Sequence, residues 1–168
     1  GDPLAQAHTL VGIELARGLL ARVAGRAVPA TALRFPWRGR PHAPGLAHFS
    51  ISHAGEWVGC AVASDGVLGF DLECPEAGAT RDVADWSVRE AVIKAAGADL
   101  AAAARVVFAG DTAELDGRHW CLQRAPAPAG CVAHLVLAAP AEIELVPPRA
   151  IAETSAFDER IPAGRHAP

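Results

Sequence analysis

Apolar residues first recur at helical spacing: Leu4, Ala7, Val11, Leu15, Leu19 and Val23 lie between Pro3 and Ala24, with Arg17 and Arg22 left for another face. This spacing predicts an opening helix, interrupted softly at Gly12 and Gly18 and closed by Gly25 in a left-handed conformation. From Leu33 to Gly45 the periodicity stops; prolines remove amide donors and glycines permit turns, so a loop is expected. His48 to Ser52, Trp57 to Ser64 and Val67 to Glu73 are Val- and aromatic-rich and read as short strands. Ala54-Gly55 and Asp65-Gly66 separate them, and Asp-Gly between two apolar runs is a hairpin signal. A second helix is predicted from Trp86 to Ala96, with Asp85 as its N-cap and Gly97 closing it. Ala104 to Phe108, His119 to Arg124 and Val132 to Ala138 look like further strands, with Pro126 and Pro128 in a connecting loop. Beyond Pro147-Pro148 the residues turn aperiodic, which predicts a loose tail.

The order of helix, strands, helix, strands predicts an α+β fold of two similar lobes, although no short-period repeat is visible. The expected division is 1–75 for the N-terminal lobe, 76–146 for the C-terminal lobe and 147–168 for the tail. A ligand is then expected in the cleft between the lobes.

A chain of 168 residues suffices for one compact unit with a real core. Hydrophobic residues at 51% and charged residues at 20% exclude the composition of a disordered chain. Cys60, Cys74, Cys121 and Cys131 form no C-x-x-C pair and no zinc-like spacing, and read as reduced thiols of a cytoplasmic domain. No apolar stretch approaches a membrane span and no secretory leader is evident, so neither membrane nor export is expected. The net charge of −4 argues against a general nucleic-acid binder and makes any anion site local.

The candidate chemistry lies between residues 49 and 94. Asp71 and Glu73 are two apart, so on a strand both carboxylates project from one face. With Glu90 arriving from the next helix, three carboxylates can grip a hard cation such as Mg²⁺, which also takes waters and substrate phosphates. Trp86, Glu90, Ile93 and Lys94 are expected along one side of that helix, although Glu90 and Lys94 alone could equally form a surface i,i+4 pair. Ser52 and His53 at a strand end suit phosphate oxygens or a structural donor role. Arg38, Arg40 and His42 on the proline-rich loop form an anion clamp or a solvated charge cluster.

Four segments carry a resemblance: Gly39-Arg40-Pro41, Ile51 to Trp57 (Ile-Ser-His-Ala-Gly-Glu-Trp), Gly69 to Glu73 (Gly-Phe-Asp-Leu-Glu), and Trp86 to Lys94 (Trp-Ser-Val-Arg-Glu-Ala-Val-Ile-Lys). In this order they resemble the 4′-phosphopantetheinyl transferases of the Sfp type, from about the first helix to Lys94 with a weaker echo to about Ala138. The resemblance implies a pseudo-dimer of two α+β lobes in a single chain. It implies Mg²⁺-dependent transfer of 4′-phosphopantetheine from coenzyme A to a serine of an apo acyl or peptidyl carrier protein, in fatty acid, polyketide or nonribosomal peptide synthesis. Asp71, Glu73 and Glu90 would hold Mg²⁺, and Ser52 and His53 would touch phosphate oxygens. Arg40 would stand where the family has lysine, and Thr9 would lie near the 3′-phosphate. Glu90 would act as general base, directly or through water, and Lys94 would neutralise charge as 3′,5′-ADP leaves. A pseudo-dimeric chain needs no second copy, so a monomer is expected.

Two departures stand out. Only Cys74 to Asp85 connect the Asp-x-Glu strand to the tryptophan helix, where the family has a longer stretch that contributes to carrier contact, and Arg89 replaces the usual lysine. The alternative is therefore a noncatalytic coenzyme A- or carrier-binding accessory protein derived from such a transferase. A third reading takes the acidic pair as plain surface of a structural domain.

Overall fold

The computed structural model describes residues 2–37, 39–76 and 80–147, and the expected tail beyond Pro147 lies outside them. The fold is α+β. Helix α1 (Pro3–Ala24) starts where Asp2 accepts a hydrogen bond from the Leu4 amide and ends at Gly25 in the left-handed region, as the sequence predicts. Its buried side differs from the expected apolar stripe. His8, Gly12, Ala16 and Leu20 are buried, whereas Leu4, Val11 and Val23 remain exposed. Close approach decides this: a Cβ on Gly12 would lie 2.8 Å from Ile51 Cγ2, so the helix sits down on its small residues.

Strands β1 (His48–Ala54) and β2 (Trp57–Ala63) form an antiparallel hairpin. The loop before them is closed by a single bridge in which Arg34 and His42 exchange backbone hydrogen bonds. Strand β3 (Leu68–Glu73) does not return onto β2. It pairs with β7 (Val132–Leu137), giving a five-stranded antiparallel sheet in the order β3-β7-β6-β5-β4, with β4 at Val107–Ala109, β5 at Thr112–Leu115 and β6 at Arg118–Ala125. The Asp65-Gly66 hairpin expectation is thus overturned: β3 does not pair with β2 but with a strand some sixty residues further on. Burial explains the pairing. Five of the six β3 residues are buried, which calls for cover on both faces.

Helix α2 (Val83–Ala96) covers one face of this sheet. Its N-cap is Asp82, which accepts from the amides of Ala84 and Asp85, rather than Asp85, which instead pairs with Arg89 in the first turn. Gly97 ends it in the left-handed region as expected. A 3-10 turn at Leu100–Arg105 replaces the start of the strand expected at 104–108, and β5 was not anticipated. Arg89 grips the Asp85 carboxylate with Nε and Nη2 while its Nη1 donates to the carbonyls of Ala103 and Val106, so one planar guanidinium staples that turn to α2.

The layers run α1, β1–β2 hairpin, sheet, α2. Phe49, Ile51, Cys60 and Val62 face α1, while Ala61 and Ala63 cover Phe70, Leu72 and Leu135 on the sheet. Cys74 and Cys131, read as reduced thiols, are instead joined by a disulfide. The β3–β7 register ends at Glu73 opposite Val132, which brings the next residues on either strand together. Among the described residues no helix is long and apolar enough to cross a membrane.

Candidate functional site

The unpaired edge of β3 runs beside β1, and two serines bridge the gap. The Ser50 hydroxyl donates to the Phe70 carbonyl at 3.3 Å and accepts from the Phe70 amide at 3.0 Å, replacing a missing strand partner. Two residues on, Ser52 donates to Asp71 Oδ1 at 2.8 Å. Glycine at position 69 allows the other approach. A Cβ there would lie 1.9 Å from the Ala91 carbonyl oxygen, so α2 lies almost directly on β3. Gly69, Asp71 and Glu73 share that face by strand alternation.

The close approach brings Glu90 and Lys94 to the two strand carboxylates. Lys94 Nζ lies 2.6 Å from Asp71 Oδ1, 3.0 Å from the Ser52 hydroxyl and 3.8 Å from Glu90 Oε2. Trp86 Nε1 donates to the other Glu90 oxygen at 2.7 Å. Trp86, Glu90 and Lys94 therefore share a side, whereas Ile93, expected with them, is buried in the core under α2. Oxygens of Asp71, Glu73 and Glu90 all lie within 4.8 Å of one another.

Asp71 is only 1% exposed, and its Oδ2 is buried without a hydrogen-bond partner among the described residues. A sealed carboxylate oxygen with no donor is costly. Burial first, then the neighbouring Asp71 and Glu90 charges, push the Glu73 carboxyl above its usual range, against the opposing pull of Arg81 and Lys94. Lys94 is thus an incomplete counter-charge for three carboxylates. The donor set, all oxygen, and the orphaned Asp71 oxygen suit a hard divalent cation.

The remaining expected residues lie elsewhere or outside the cluster. Ser52 and His53 point to opposite faces of β1: His53 stacks on the buried His8 of α1, ring centroids 4.7 Å apart, instead of joining the carboxylates. Thr9 is exposed on α1 and spends its hydroxyl on the Ala5 carbonyl. Arg40 packs at the far end of α2, its Cγ in van der Waals reach of a Cβ built on Gly97. Arg38 lies outside the described residues.

Two neighbours of the cluster were not anticipated. Arg81, on the short connection before α2, meets Glu73 at 3.2 Å and lies 4.5 Å above the Trp86 ring. His134 stands directly opposite Asp71 in the β3–β7 register. Arg81 was visible as a cation in the short bridge, but His134 required the strand pairing, which no local signal carries. No protein-family model matches the chain, and no curated protein sequence matches it.

Proposed function

We propose that this chain transfers the 4′-phosphopantetheine group of coenzyme A to a serine of an apo carrier protein. The observation that carries the reading is the convergence of Asp71, Glu73 and Glu90 around a buried, unpartnered carboxylate oxygen, with Lys94 and Ser52 attached. In this reading Asp71, Glu73 and Glu90 would hold Mg²⁺, whose chemistry is to neutralise the pyrophosphate oxygens as negative charge spreads. Each of the two helices packs on its own set of strands, which supports the paired-lobe architecture the resemblance implies.

In the reaction the serine Oγ bonds to the phosphorus that bears pantetheine. The bond from that phosphorus to the bridging oxygen breaks, and 3′,5′-ADP leaves with the electron pair. Glu90, oriented by the Trp86 indole, takes the serine proton directly or through a water. Lys94 offers an ammonium to the charge that develops on the leaving group. Of the residues the resemblance gives to the coenzyme A phosphates, Ser52 stands at the cluster, where it meets Asp71 and Lys94.

The test is a mass-spectrometric transfer assay of several unrelated apo carriers with coenzyme A and Mg²⁺. Holo carrier should appear, and Asp71→Ala and Glu90→Ala should each abolish it. Tight binding of coenzyme A without transfer to any carrier would instead favour the noncatalytic accessory protein, with the short connection after Cys74 as its structural basis.

A further inference from the structure

The ladder that carries Asp71 continues across the sheet as a row of polar side chains. Asp71 pairs with His134, and His134 pairs with Arg124, so all three residues lie on the face covered by α2. The neighbouring row shows what that face normally carries: Gly69, Val136 and Leu122 lie in register, and the latter two belong to the core under α2. His134 therefore stands where a valine or leucine would be expected. It is half-buried, and its Nδ1 is sealed from solvent with no partner among the described residues.

Two orphaned polar atoms thus belong to directly opposed residues of one face, Asp71 Oδ2 and His134 Nδ1. Directly opposed residues carry their Cβ atoms about 4.5–5.5 Å apart. Buried polar atoms are almost always hydrogen-bonded, and each orphan calls for an explanation. Direct ligation by the imidazole is the less suitable explanation. The ligand atoms within 4.8 Å of one another are those of Asp71, Glu73 and Glu90, and His134 is not among them. A hard cation held by carboxylates keeps several waters, and those waters are hydrogen donors in search of acceptors.

We propose that His134 is a positioning residue of the cation site, accepting through Nδ1 a hydrogen bond from a water bound to the cation that Asp71 holds. This inference rests on the divalent-cation reading of the cluster. It fixes the tautomer as well, since Nδ1 as acceptor requires the proton on Nε2. Outer partners of this kind tune affinity by orienting what the ligands hold.

The experiment is calorimetric titration of Mg²⁺ and Mn²⁺ into the full chain stripped with EDTA, with thermal unfolding of the same samples. His134→Leu should lower cation affinity by about 10–100-fold. Its thermal midpoint without cation should be equal to or above that of the wild type, because an apolar side chain removes an orphan from an apolar face. His134→Asn, whose amide oxygen can occupy the place of Nδ1, should recover most of the affinity, whereas a purely structural histidine would not distinguish the two variants. If the wild type binds and His134→Leu binds within about twofold of it while Glu73→Gln loses binding, the inference fails and the cation reading stands. If the wild type binds neither ion, both fall together.

Discussion

At the scale of single residues, charges compressed into a small volume dominate the site. Glu73 is the clearest case. Its carboxyl is pushed above the ordinary value of 4.5, chiefly by burial and then by Asp71 and Glu90. The folded state then binds a proton more readily than the unfolded chain, so stability falls as pH rises through the window from 4.5 up to the raised value. Above that window the penalty is fully present, and below 4.5 it is gone. Glu73→Gln removes the titration. In EDTA, urea unfolding should show the wild type losing stability relative to Glu73→Gln as pH climbs from acid to neutral; parallel curves would contradict this origin of the shift. Saturating Mg²⁺ should oppose the trend by favouring the ionised carboxylate. Ser50 is the neutral counterpart, because its hydroxyl satisfies both backbone groups of Phe70 in a buried setting.

Between elements, the contact that assembles the site is the seat of α2 on β3. Gly69→Ala would drive a Cβ to 1.9 Å from the Ala91 carbonyl and 2.6 Å from the Ala95 amide, and backbone cannot move aside as a side chain can. The helix must lift, carrying Glu90 and Lys94 away from Asp71. We expect a loss of about 1–3 kcal/mol or more in chemical unfolding. Cation affinity should fall in the folded protein as well. An alanine variant that unfolds early but binds normally would show that the site tolerates the shift. The sequence made much of this element level legible. Gly25 and Gly97 mark helix ends through conformations that side chains disfavour, and the alternation of Asp71 and Glu73 put both on one face. The first turn of α2 was less legible, since Asp82 and Asp85 are equally good caps and only the backbone path chooses between them. The pairing of β3 was misread because Asp65-Gly66 is a local signal, whereas the partner strand lies some sixty residues away. For the same reason neither His134 nor the Cys74–Cys131 bond was foreseen, and His53 was grouped with Ser52 although strand alternation sends them to opposite faces.

In the molecule as a whole, the Cys74–Cys131 disulfide encloses α2 and β4 to β6 within one covalent loop, spanning 57 residues of sequence. Chain entropy assigns such a closure roughly 4 kcal/mol, acting on the unfolded ensemble. The six-residue ladder of β3 on β7 already holds Asp71 and Glu73 in the folded state, independent of the bond. Stability and site should therefore separate. Cys74→Ser with Cys131→Ser should lower unfolding free energy by about 2–4 kcal/mol while leaving Mg²⁺ affinity of the folded protein unchanged. Reduction of the wild type should match the double variant, since both remove the same constraint. Parallel urea unfolding and calorimetry decide the matter. Should affinity fall together with stability, the bond shapes the native site directly, bracing the strand end that carries Glu73 and the short connection that brings Arg81 to it.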